Sequence, residues 1–446
     1  MAKENGTGKG SRREERRRRR IRNQIIAYLV LIVIIAGIVT GGYFGIRYLV
    51  ELFKPQNQQI IISDNRITES ENNAGTIATP DDNIMDIVSG NETPMDEISP
   101  QQMAIDAYIS SMTIEQKVAN LFIVTPESIT GVTTATMAGD GTRSALSEYA
   151  VGGIVYAGRN ITGADQFKEM ILNTKNMYHE LYNLDLWVVV RDEGAVNVLA
   201  GSAAGVPAQQ AAGEIGTSGD TGNAYQAYVS IGTYLKEYGI DVNLGPVCDV
   251  LSTENSYLGN RSFSSDADIA ASMIHSAVNG QMEQGIITCL TAFPGQGDAS
   301  GDPANGTATT GRTLDDMRSL EFLPFEAGIE EGAQMIMISN MTAESASGEA
   351  VPCSLSSVMI TDVLRGELGF QGIVITADMD QKAITDHYGA GEAAVMALQA
   401  GADMIMKPAN FAEAYAGVLE AVAAGTITEE RIDESLSRIF ALKMGS

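Results

Sequence analysis

The stretch GIVITADMDQKAITDHYG, residues 372–389, places two aspartates, Asp378 and Asp380, just beyond an apolar run. A carboxylate at the end of a buried strand is a candidate nucleophile or proton-transfer group. Other charged side chains recur in the same setting. Glu193 lies in RDEGAVNVLAG, Asp249 and Arg261 in GPVCDVLSTENSYLGNRSFSSD, and Asp298 and Asp302 in TAFPGQGDASGDPANG. Each of these segments follows an apolar run. The three histidines, His179, His275 and His387, are too scattered for a zinc set. Cys248, Cys289 and Cys353 have no paired spacing and read as small buried residues rather than a metal cluster or disulfide framework. FPGQG and AGDGTR are glycine-rich but match no nucleotide-binding loop, so neither a metal nor a cofactor is expected.

The elements that must position these groups are legible as short apolar runs. They are NLFIV (120–124), GGIVYA (152–157), LWVVV (186–190), DVNLG (241–245), IITCL (286–290), QMIMIS (334–339), GIVIT (372–376) and DMIMK (403–407). Runs this continuous in Val, Ile, Leu and Met suit strands buried on both faces. Helical stretches such as ADQFKEMILNTKNMYHELYN and SSVMITDVLRGELG lie between them. Strands alternating with helices predict an α/β fold over 101–446, a single (β/α)8 TIM-type barrel, with a doubly wound sheet as the alternative. In a barrel, chemistry sits at the C-terminal strand ends, where the charged segments fall.

Charge divides the chain. Residues 1–50 carry eleven basic and three acidic side chains, a net +8, within an overall charge of −27. The remainder, at −35, argues against a nucleic-acid partner, since phosphate binding needs clustered Lys and Arg. Ile25 to Ile46 contain no charge and are long enough to cross a bilayer. The predicted organisation is a basic cytoplasmic tail (1–24), a transmembrane signal anchor (25–46), an acidic flexible stalk (47–100) and the barrel outside the membrane. A cleaved signal peptide is the alternative. The apolar run is long for one, and no small-residue cleavage site follows.

At the strand-end loops the chain resembles glycoside hydrolase family 3, in its bacterial β-N-acetylhexosaminidase branch, over roughly 110–446. NRSFSSD (260–266) is similar to the family's V-R-S-F-G-x-D, FPGQGD (293–298) to F-P-G-H-G-D, and NLGPVCDV (243–250) to N-x-A-P-V-x-D-V. LRGELGFQGIVIT (364–376) and KAITDHYG (382–389) match the seventh-strand region without gaps. The resemblance implies a retaining mechanism with a carboxylate nucleophile. It also implies that the nucleophile position is Ala377, with Asp378 one place later, and that the acid/base histidine position is Ala304, beside Asp302. Thr291 and Ala292 stand at a sugar-binding Lys-His pair, Arg191 at an aspartate that accepts sugar hydroxyls, and Val196 at an arginine. Pro246, Phe263, Pro294, Gly295 and Gly297 keep the pattern that shapes the loops.

The catalytic candidates are therefore Asp378 and Asp302, and the substrate-binding candidates are Arg261, Asp249, Asp298 and Glu193. Arg261 has a second reading, as a structural arginine tying its loop to Asp249 or Asp266. The expected protein is a membrane-anchored, β-N-acetylhexosaminidase-like member of the bacterial cell envelope without normal hydrolase activity. It would bind a glycan or an envelope protein through the barrel mouth. Two alternatives stand beside it. One is an active glycosidase on N-acetylglucosamine-containing glycans such as peptidoglycan fragments, using Asp378 or Asp380 with Glu193 or Asp302. The other is an envelope scaffold with a protein ligand.

Overall fold

Each apolar run becomes one strand in a computed structural model, which describes residues 99–195, 199, 202–252 and 257–445. The strands are β1 (Phe122–Val124), β2 (Gly153–Val155), β3 (Trp187–Val190), β4 (Val242–Val247), β5 (Ile287–Phe293), β6 (Met335–Ile338), β7 (Ile373–Thr376) and β8 (Ile405–Met406). Every strand residue is buried, which is why the runs are continuous rather than alternating. Each strand pairs in parallel with its neighbour in the chain from β1 to β7, and β8 pairs with β1. β7 and β8 meet through one parallel bridge, Ile375–Met404, and Met406 N donates to Thr376 Oγ1 at 3.0 Å. The ring is thus a nearly closed (β/α)8 barrel. The order runs once around without reversing, which excludes the doubly wound sheet.

The helices start and stop where local chemistry requires. Thr113 and Gln116 form a reciprocal capping box at the start of Ile114–Asn120. Asp266 accepts from Asp268 N and Ile269 N to begin Ala267–Met282. Asn183 ends Ala164–Tyr182 in the left-handed conformation. The segment SSVMITDVLRGELG contains the wide-turn helix Val358–Glu367. The first described helix, Pro100–Ser111, packs against the last, Glu429–Gly445, with Tyr108 edge-on to Phe440 at 5.0 Å. Cys248, Cys289 and Cys353 are buried free thiols.

Two features aim the loops at the barrel mouth. The β4–β5 register shifts between Leu244 and Gly245, and the β5–β6 register shifts between Leu290 and Phe293. Such irregularities redirect the chain near functional sites. Gly297 then presses the loop after β5 against the one after β4. A Cβ there would sit 1.5 Å from Val250 O, so only glycine permits the contact. The expected tail, membrane anchor and nearly all of the stalk lie outside the described residues. Among those residues, no helix is long and apolar enough to cross a membrane.

Candidate functional site at the barrel mouth

The C-terminal ends of β3, β4, β5 and β7 converge on a cavity of about 310 Å³. Arg191 follows β3, and Asp249, Tyr257 and Arg261 follow β4. Thr291, Ala292, Gln296, Asp302, Pro303 and Ala304 come from β5 and its loop. Met337 comes from β6, and Ala377 and Gln381 from the end of β7. The wall is mainly polar, and Tyr257 is its only aromatic ring among the described residues.

The loop after β3 is held from behind. Asp192 is fully buried and accepts from Gly194 N, Leu199 N and Tyr234 Oη at 3.1, 3.2 and 2.8 Å. Burial pushes its carboxyl above the ordinary range, against the pull of these hydrogen bonds. Asn243 on β4 accepts from Asp192 N and donates to Asp192 O, both at 2.8 Å. That anchor fixes the residues on either side, Arg191 and Glu193.

Glu193 reaches Arg261 rather than the cavity. Arg261 Nε and Nη2 each donate to one carboxylate oxygen at 2.7 Å, a bidentate pair joining the loops after β3 and β4. The partner differs from both that the sequence suggested. Asp266 is occupied capping its helix, and Asp249 accepts from Gln296 N at 2.7 Å. Burial works against the Arg261 charge, but the Glu193 pair outweighs it and holds the guanidinium above its usual value. Asp249 is 2% exposed, and burial pushes its carboxyl up to about 7 despite the Gln296 hydrogen bond and the nearby Arg261 charge.

Position 377 is the centre of the β7 end. The β6–β7 register runs without a shift from Met335–Ile373 to Ile338–Thr376. Ala377 N donates to Ile338 O at 2.8 Å, and the methyl group lines the cavity. The turn beyond is fastened by Asn340, whose Nδ2 donates to Asp378 O at 2.8 Å and to Gln381 Oε1 at 2.9 Å. No bulge therefore brings Asp378 into the place of Ala377. Its carboxylate lies outside the cavity lining, 2.5 Å from Lys407 Nζ and 3.6 Å from Arg191 Nη2. Asp380 is 3.4 Å from the same lysine.

The loop after β5 supplies Asp302 and Ala304 to the wall. Asp302 accepts from Ala304 N and Asn305 Nδ2, both at 2.9 Å, so much of its capacity goes to shaping its own turn. Asp298 lies outside the lining. It accepts from Thr310 Oγ1 at 2.8 Å and pairs with Arg312 at 3.2 Å. Of the sequence candidates, the fold brings Asp249, Arg261 and Asp302 to one cavity. Glu193 is paired with Arg261, and Asp298 and Asp378 are not among the residues that line it.

Sequence reasoning missed Lys407, Tyr257, Gln381 and Asp192. Lys407 closes the run DMIMK at a strand end, which was a usable signal. Tyr257, whose hydroxyl donates to Gln296 Oε1 at 2.6 Å, carried none. Among the described residues, no group of three His, Cys, Asp or Glu side chains is arranged to hold a metal ion.

The profile of the glycosyl hydrolase family 3 N-terminal domain matches residues 113–442. A β-hexosaminidase of Stenotrophomonas maltophilia (strain R551-3) is 34% identical over 168 residues, which cover 38% of this chain and 49% of that one. A β-hexosaminidase of Nitrosomonas eutropha is 28% identical over 269 residues, covering 59% of this chain and 75% of its own. The match thus spans about half the length of the first relative. Among solved structures, a glycoside hydrolase family 3 β-N-acetylglucosaminidase from Paenibacillus sp. str. FPU-7 superposes with a TM-score of 0.70 at 32% identity, covering 75% of this chain and 62% of that one. A β-N-acetylhexosaminidase from Beutenbergia cavernae gives 0.67 at 27%, covering 75% and 99%. The barrel, the loop motifs and these likenesses together establish that the chain belongs to glycosyl hydrolase family 3, in its bacterial β-hexosaminidase branch.

Proposed function

We propose that this protein is a membrane-anchored, β-hexosaminidase-like protein of the bacterial cell envelope that binds a glycan in the barrel-mouth cavity without ordinary retaining hydrolysis. One observation carries the reading. The cavity wall at the expected nucleophile position is the methyl group of Ala377, while the adjacent carboxylate, Asp378, is outside the lining and bound to Lys407 at 2.5 Å. A displacement of about 1 Å at a reacting group already costs roughly 100-fold. Ala304 in the same wall offers no proton, and acid–base help is worth about 10²–10⁴-fold. A concave, polar cavity suits a sugar better than a flat apolar protein contact. The uncharged run 25–46 behind a basic tail supports the anchor.

An active glycosidase is the second reading. It draws on Asp249 and Asp302, which both line the cavity, with Asp249 pushed up to about 7 and so able to give a proton near neutral pH. Glu193 and Asp378, by contrast, are already engaged with cations.

The test is turnover of a fluorogenic N-acetyl-β-glucosaminide by the full-length chain, with Asp378→Ala and Asp302→Ala alongside. The proposal expects no turnover in any of them. Turnover lost in Asp378→Ala would identify a shifted nucleophile and sink the proposal. Turnover that survives that change but disappears in Asp302→Ala would favour the second reading.

A further inference from the structure

The cavity wall carries two guanidinium groups, and they are not equally occupied. Arg261 spends Nε and Nη2 on Glu193. Arg191 has no carboxylate within hydrogen-bond distance among the described residues. Its nearest, Asp378, is 3.6 Å away and is already held by Lys407 at 2.5 Å. Among the described residues its one hydrogen-bond-range contact is Met337 Sδ at 3.8 Å, a weak acceptor. The side chain is 31% exposed and lines the cavity. A guanidinium has five N–H donors and cannot accept, so this wall seeks an acceptor from outside the protein.

The facing carboxylates do not cancel that demand. Asp302 accepts from its own turn, and Asp249 accepts from Gln296 N close to Arg261. Nor do they close the space. Ala292, Ala304 and Ala377 leave the cavity open at about 310 Å³, near the lower end of the roughly 300–1,000 Å³ usual for small-ligand sites. That size suits one substituted sugar ring. The acceptor that best fits a planar fork is a carboxylate, which can take two parallel charge-assisted hydrogen bonds where a hydroxyl takes one.

We propose that Arg191 makes this cavity selective for an acidic sugar, a pyranose bearing a carboxylate, whose acid group pairs with the Arg191 guanidinium. The carboxylate can come from a uronic acid or from an ether-linked acid substituent such as that of muramic acid. The inference deepens the glycan-binding reading above and rests on it. It runs against the global charge of −27, which would favour neutral or cationic ligands at long range. Beyond about 8 Å that field is screened at physiological salt, whereas the contact in the cavity is not.

The experiment is calorimetric titration of the full-length protein with glucuronic acid, N-acetylmuramic acid, glucose, N-acetylglucosamine and cyclohexanecarboxylate. Each acidic sugar is compared with its neutral counterpart, and the two acids distinguish the two sources of the carboxylate. At least one acidic sugar should bind about tenfold more tightly than its counterpart, a difference of roughly 1.4 kcal/mol. In Arg191→Gln the acidic and neutral sugars should converge. Arg191→Lys, which keeps charge but loses the fork, should retain part of the preference. Thermal unfolding of each variant checks that it is folded. If Arg191→Gln fails to fold, the acid-to-neutral ratio in the unaltered protein and in Arg191→Lys decides the matter.

Equal affinity for acidic and neutral sugars, or a preference that persists in folded Arg191→Gln, overturns the inference and leaves glycan binding standing. Binding of cyclohexanecarboxylate with no binding of any sugar would keep a carboxylate site at Arg191 but remove the glycan reading. Binding of none of the five would overturn both.

Discussion

The two sides of the barrel mouth have been built to different ends. On the β3–β5 side, apart from Arg191, the charged groups that shape the loops are tied to one another. Arg261 and Glu193 form a two-point pair, Asp249 takes Gln296 N, and Gly297 presses one loop on the next. On the β7–β8 side, the wall is a methyl group, and the nearest carboxylate is drawn off to Lys407. The first side keeps the loop-shaping residues that resemble the family's motifs. On the second, Ala377 stands where the family resemblance places the carboxylate nucleophile. Loop shape and reacting groups rest on different residues, so one can change without the other.

If the first side is the frame, breaking its central pair should have the largest effect. Glu193→Ala leaves Arg261 without its partner, whose side chain is only 3% exposed in the folded protein. A loss of about 3 kcal/mol is expected in urea unfolding, since removing one member of a buried pair strands the other charge. A change under about 0.5 kcal/mol would mean that the pair is not structural.

If the mouth only lacks its reacting groups, at Ala377 after β7 and at Ala304 after β5, restoring both should revive chemistry. The double variant Ala377→Asp with Ala304→His places a carboxylate and an imidazole in the cavity wall. Its hydrolysis of a fluorogenic N-acetyl-β-glucosaminide should exceed that of the unaltered protein by about 100-fold or more, and that of each single variant clearly. No gain would show that other wall residues, Arg191 and Thr291 among them, also bar the reaction.

A smaller effect sharpens the description of the frame. The Asp249 carboxyl is pushed up to about 7, from about 4 when unfolded. The folded state therefore holds a proton that the unfolded state releases earlier. This contribution to stability is fully present below about pH 4 and is lost as pH rises to about 7. Asp249→Asn keeps a side-chain acceptor but cannot ionise. Relative to the unaltered protein it should gain about 2–3 kcal/mol of stability between pH 5 and pH 8. Parallel pH dependence in the two proteins would refute the assignment.

Much of this was legible in the chain. The strands announce themselves because parallel strands inside a barrel are covered on both faces, so their residues are apolar without alternation. The loops were legible because Pro294, Gly295 and Gly297 fill positions where backbone shape leaves little choice. Gly295, for example, has φ at +120°. Lys407 was visible as a strand-end residue, but nothing local says that its amine turns towards Asp378, 29 residues earlier. Tyr257 entered the wall from an irregular loop, where no period constrains which side chain points inward.

By itself, the sequence determined the order of strands and helices, the absence of a carboxylate at position 377, and the charge contrast between the first fifty residues and the remainder. These depend on residue type and local spacing. The tertiary structure alone decided that Arg261 pairs with Glu193, 68 residues away, that Asp378 goes to Lys407, and that Arg191 is left facing the cavity. The reason is geometric. The ends of β3, β4, β7 and β8 become neighbours only when the barrel closes, and a charge selects its partner by distance in space and by burial, neither of which spacing along the chain records.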